Sequence, residues 1–242
     1  MNELDQHPQS APAPNHGTPV VPAPWDLGGQ GYLFLYRFRR DWLLRHAAIP
    51  DHLVSRFAGG LGALMLVDYQ WGDADPYREL LFMPGKFRWG GLERHCITEI
   101  VVSTRQSVES GRANWAIPKR LAHFEWLQTG RRKERIRVCE ESAGSFSAEL
   151  SYLPVPLPMH TALLPMPLAQ PNGNELLLTD FSGRGIAWPA RLGAFEAENA
   201  NLPPLQELRP LAGFRVAPFR LRFPVAGRRR LDPYSPPLWS PG

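Results

Sequence analysis

The chain has 242 residues, enough for one sizeable domain and short for two. A hydrophobic share of 43% with a net charge of +4 is ordinary for a globular protein and too mild to call for a nucleic-acid partner. Two cysteines without a Cys-x-x-Cys pair argue against a disulfide framework, and no apolar run of about 18 residues argues for a membrane span.

Residues 1–24 are rich in Pro, Ala, Gln, His and Asn, and a disordered tail is expected there. They hold no basic stretch followed by an apolar one, so no secretory signal is expected and a cytoplasmic location fits. Of the 26 prolines, six fall in 1–24, four in 25–153 and sixteen in 154–242, which concentrates regular strands in the middle. Tyr32 to Phe38 reads as a strand, and Asp41 to Ala48 as a short helix stopped by Pro50. Leu61 to Trp71 and the β-branched Cys96 to Thr104 read as strands. Ser107 to Ala122 reads as a loop, with turn signals at Gly111 and Pro118. Ala122 to Gln128 and Lys133 to Glu140 form a hairpin around Thr129-Gly130, its second arm alternating basic and apolar residues. Ser145 to Leu153, Glu175 to Asp180 and Phe214 to Phe223 add strands, and Arg191 to Glu198 suits a helix. A second tail, 226–242, is Pro- and Arg-rich. The expected fold is mainly β (α+β): one domain over 25–225, an antiparallel β-barrel or a packed pair of sheets with few short helices.

Among 27 basic residues only Lys86, Lys119 and Lys133 are lysines. A surface charge can be either cation, but a neutral amine nucleophile must be lysine, since arginine stays protonated. Burial among apolar groups favours that neutral form. Lys119 sits in Asn114-Trp115-Ala116-Ile117-Pro118-Lys119-Arg120-Leu121-Ala122, where Trp115, Ile117 and Leu121 are placed to supply apolar surroundings. Arg120 adds a like charge, although consecutive strand side chains point opposite ways. Read by composition alone, Lys119 is an ordinary surface lysine and Glu79 a solvated carboxylate. Arg112 is placed either to hold a substrate carboxylate or to pin the loop through a backbone carbonyl. His95, His123 and His160 lack metal-ligand spacing.

The run Gly111-Arg112-x-x-Trp115-x-x-Pro118-Lys119-x-Leu121-Ala122 resembles the Schiff-base loop of the acetoacetate decarboxylase superfamily. Upstream, Tyr77-Arg78-Glu79-Leu80 followed by Pro84 resembles that superfamily's Tyr-x-Glu segment, and Tyr36-Arg37 leading to Pro50 its first strand and helix. The resemblance runs from about Tyr32 to Leu153. It implies a lysine-iminium enzyme of decarboxylase or aldolase-dehydratase type, with Lys119 as nucleophile and Glu79 as acid and base. Tyr77, Arg112, Trp115 and Arg120 are its implied substrate contacts. Because the iminium is the electron sink, the resemblance implies no metal or organic cofactor. The implied partners are a small carbonyl substrate and further copies of the same chain, with no nucleic acid and no membrane.

Departures mark where the resemblance stops. Leu27-Gly28-Gly29-Gln30 stands where the decarboxylases carry an arginine, Ala113 where Glu is common, Arg120 where a second lysine is common, and Asp68 replaces a strand glutamate. These point away from acetoacetate itself. They also keep a rival reading open, a non-catalytic barrel that binds a small apolar ligand.

Overall fold

The structure, a computed structural model, describes residues 18–140, 144–198 and 202–231. Strand β1 (Trp25–Tyr36) is followed by two short helices, α1 (Arg40–Arg45) and α2 (Asp51–Val54). Next come β2 (Phe57–Gly59), β3 (Gly62–Gly72), β4 (Tyr77–Met83), β5 (Lys86–Trp89), β6 (Leu92–His95) and β7 (Glu99–Val102). Helix α3 (Arg105–Trp115) leads to β8 (Arg120–Leu121), β9 (His123–Gly130), β10 (Lys133–Glu140) and β11 (Gly144–Tyr152). The last third holds β12 (Leu157–His160), β13 (Leu168–Asn172), β14 (Glu175–Thr179), β15 (Ser182–Glu198), β16 (Ala212–Phe223) and β17 (Gly227–Arg230).

Ten strands pair in the order β8-β7-β4-β3-β1-β16-β15-β11-β10-β9, and β12 joins at β15. They curl into a nearly closed, barrel-shaped sheet. A second sheet runs β17-β14-β13-β6-β5-β2. Close approach of β1 to β3 needs glycine: a Cβ on Gly29 would stand 2.0 Å from the Asp68 carbonyl oxygen. Strand alternation splits the apolar side chains into two clusters. Tyr32, Phe34, Leu66, Leu80, Ile136 and Phe146 belong to the first. Leu27, Val67, Tyr69, Tyr77 and Leu81 belong to the second, which Trp115 and Ile117 also join. The site lies within this second cluster.

The mainly β reading holds, and so does the wet-and-dry hairpin arm: Ile136 and Val138 are buried while Arg135 and Arg137 are exposed. Two elements differ. Arg191 to Glu198 is the end of strand β15, because its backbone pairs with β11 from Ser145↔Glu198 to Tyr152↔Ala190. Cross-strand pairing there overrides the helical preference of its Ala, Leu and Glu residues. The segment read as a loop is mostly helix α3, capped by the Thr104 hydroxyl, which accepts from the Ser107 N–H at 3.3 Å.

The described residues extend beyond 25–225 on both sides. Residues 18–24 are described, and the N–H groups of Val21 and Ala23 donate to Ser110 Oγ and Asn114 Oδ1 on α3. On the other side, β17 pairs with β14, so the expected tail boundary at 226 falls before a strand. The rest of both expected tails, 1–17 and 232–242, lies outside the described residues. Among the described residues no helix is long and apolar enough to cross a membrane.

Candidate active site

Register brings the key side chains together. In the antiparallel β3–β4 pair Tyr69 faces Tyr77 and Val67 faces Glu79, so Tyr69, Tyr77 and Glu79 share one face. On the far side of β4, Leu80 pairs with Val101 of β7, and Val101 pairs with Arg120 of β8. Arg120 therefore falls on the Leu80 side, and its neighbour Lys119 falls on the Glu79 side. Helix α3 and the turn after it aim the lysine. Ala116 takes the left-handed conformation at φ 53° and ends the helix. The Lys119 N–H then donates to the Ile117 carbonyl at 2.8 Å across Pro118.

Lys119 is 3% exposed and Glu79 4%. Lys119 Nζ lies 2.9 Å from Glu79 Oε2 and donates to Ser107 Oγ at 3.0 Å. It also lies 4.9 Å from the centre of the Tyr77 ring, within cation–π range. The other carboxylate oxygen, Oε1, accepts from the Tyr69 hydroxyl at 3.3 Å. Burial first, and then the Glu79 charge, hold the Tyr69 and Tyr77 hydroxyls well above the usual phenol range, so both stay protonated donors. The path of the lysine chain needs Gly111, because a Cβ there would stand 2.6 Å from Lys119 Cδ.

Lys119, Glu79, Tyr69 and Tyr77 line a cavity of about 60 Å³ whose other walls are apolar. Trp115 and Trp25 form one side, edge to face at 4.9 Å, and Trp115 Nε1 is anchored on the Pro224 carbonyl at 2.8 Å. Among the described residues Lys119 is the one cation on the lining, and no three His, Cys, Asp or Glu side chains converge as metal ligands.

Four of the six expected site residues thus meet: Lys119, Glu79, Tyr77 and Trp115. Two do not. Arg112 is exposed and donates from Nε to the Lys119 carbonyl at 2.9 Å, so it pins the turn. Arg120 points the opposite way and is held by Glu140 Oε1 at 2.5 Å and Glu99 Oε2 at 2.8 Å. Leu121, expected to shield the lysine, is 40% exposed. Ser107 and Tyr69 are members that the motifs did not mark. Ser107 follows from reading α3 as a helix, which puts Ser107, Gly111 and Trp115 four apart on one face. Tyr69 follows only from the β3–β4 register.

No family model matches the sequence, and no curated protein is similar to it in sequence. Solved structures match it in fold. Acetoacetate decarboxylase from Legionella pneumophila superposes with a TM-score of 0.67 at 16% identity, over 95% of this chain and 97% of that one. The chain has the acetoacetate decarboxylase fold. The acetoacetate decarboxylase-like enzyme from Sphingomonas wittichii RW1 gives 0.60 at 16% identity, over 87% of this chain and 94% of that one. The enduracididine biosynthesis enzyme MppR, complexed with pyruvate, gives 0.58 at 17% identity, over 95% and 100%. At such identities the acetoacetate decarboxylase fold is what is shared, and the chemistry has to be argued from the side chains.

Proposed function

We propose that the chain is a Schiff-base enzyme acting on a small keto acid or related carbonyl compound. One observation carries this reading: the buried Lys119–Glu79 pair, 2.9 Å apart on the wall of an apolar cavity. Glu79 accepts a proton from the Lys119 ammonium, which frees the amine lone pair. The amine adds to the carbonyl carbon, and the carbinolamine loses its oxygen as water. In net terms ammonium and ketone give a protonated imine and one water. The electron pair of an adjacent breaking bond then flows into the iminium to form an enamine. In decarboxylation that bond joins the α carbon to the carboxylate, and carbon dioxide leaves. In an aldol or dehydration route it is a C–H bond whose proton goes to Glu79. The enamine carbon then takes a proton delivered through Glu79, or in an aldol route attacks an aldehyde carbon, which regenerates the iminium. Water hydrolyses that iminium, releases the product and restores Lys119. Ser107 and the Tyr77 ring hold the nitrogen in place, and Tyr69 orients the carboxylate. The fold neighbour MppR, complexed with pyruvate and with a condensation product of pyruvate and an aldehyde, supports a carbonyl substrate.

The apolar lining favours the rival, a barrel that only binds an apolar ligand. Borohydride separates the two. Reduction with acetone, pyruvate or acetoacetate present is expected to leave a covalent adduct on the chain, seen by intact mass, and none on Lys119→Ala. A folded chain that gives no adduct with any of a broad carbonyl panel would be a binding protein instead.

A further inference from the structure

A second cavity, of about 150 Å³, borders the first. Met65, Tyr69, Phe181 and Leu221 line both, so the two are separated by one layer of side chains. The second cavity lies over β1 and β16, at Gly31, Leu33 and Val216, and under the segment from Met159 to Met166. Its walls are largely apolar; among its polar members His160, Arg184 and Arg220 are exposed, and Tyr32, Tyr69 and Thr161 add hydroxyls.

The partition suits a movable one. Tyr69 is fixed by its hydroxyl on Glu79, but Met65, Phe181 and Leu221 are only half-buried and carry no polar atom to hold them. A methionine chain has three rotatable bonds and adapts to irregular space at small cost. The first cavity has room for a carbonyl carbon and its nearest neighbours. Anything longer has to grow across Met65 into the second.

We infer that the two cavities are the ends of one binding site, and that the substrate is a carbonyl compound with an apolar chain. Its carbonyl carbon meets Lys119 Nζ and its chain crosses the Met65–Phe181–Leu221 partition into the second cavity. This rests on the Schiff-base reading above, and it makes Met65 and Val216 residues that set chain-length specificity.

A series of methyl ketones tests it on the full chain: acetone, butan-2-one, hexan-2-one and octan-2-one, each trapped with borohydride and read by intact mass. The concentration for half-maximal adduct is expected to fall about fourfold per added methylene until the chain fills the site, the fold-change that matches about 0.8 kcal/mol per buried CH₂. Val216 lines the second cavity and not the first. Val216→Phe is expected to cut the preference for octan-2-one over acetone at least tenfold, with circular dichroism checking that it folds. Half-maximal concentrations that do not change with chain length would overturn the inference even if Val216→Phe is unfolded. So would a preference that survives in a folded Val216→Phe. Acetone trapping with no length dependence sinks the tail site and spares the Schiff-base reading. The absence of any adduct, acetone included, sinks both.

Discussion

At the scale of single residues, the proposed chemistry rests on a lysine that is both buried and paired. Lys119→Arg keeps a cation for Glu79 but removes the nucleophile, so it is expected to fold and form no adduct with any ketone. Lys119→Ala leaves the Glu79 carboxylate buried without its partner. Its loss of stability, read from urea unfolding, is expected on the order of 3 kcal/mol. Glu79→Gln is expected to slow exchange of ketone α-protons for deuterium at least a hundredfold, because the proton carrier is gone. A rate within a few-fold of the parent chain would remove Glu79 from its role. Lys119 was legible in the sequence because lysine is scarce there and the proline-lysine motif surrounds it. Ser107 was not, because its hydroxyl meets Nζ only once the intervening segment folds back as a helix. Arg120 looked like a neighbour in sequence, yet strand alternation sends it to Glu99 and Glu140, where burial raises the Glu99 carboxyl above its usual range.

At the scale of elements, α3 is the support that aims the lysine. Gly111 and Pro118 resemble loop punctuation. Gly111 instead makes room for the lysine chain beside the helix, and Pro118 fixes the turn beyond it. Alanine is the better helix former by about 1 kcal/mol, so on propensity alone Gly111→Ala would stabilise α3. The Cβ clash with Lys119 Cδ predicts the opposite for function: adduct formation falls at least tenfold while circular dichroism is unchanged. Unchanged trapping in that variant would mean the lysine does not lie where the structure puts it. Thr104→Ala removes the helix cap and is expected to cost about 1 kcal/mol in urea unfolding. The strands around the site were readable from apolar runs and alternation. What those signals lack is pairing: nothing local to Tyr69 and Tyr77 says that β3 and β4 place them face to face, 4.6 Å between ring centres.

For the whole molecule, the buried hydroxyls and thiol set an alkaline limit. Burial pushes the Cys96 thiol from 9.0 to about 12 and the Tyr36 phenol from 10.0 to about 12, and Tyr69 and Tyr77 shift the same way. Above about pH 9 the unfolded chain releases protons that the folded one retains. Stability from these groups is therefore complete below pH 9 and is lost as pH rises toward about 12. The urea midpoint is expected to fall steadily across that window, and a flat midpoint would contradict the burial described for these groups. The barrel as a class followed from many strands and few helices, but at its middle β1 pairs with β16 from the other end of the chain, a contact no local pattern announces. One measurement bears on all three scales. Borohydride reduction with a small ketone, followed by proteolysis and mass spectrometry, assigns the adduct among Lys86, Lys119 and Lys133, the three lysines of the chain. The expected result is modification confined to Lys119. Equal labelling of Lys86 and Lys133, or none at Lys119, would contradict the account.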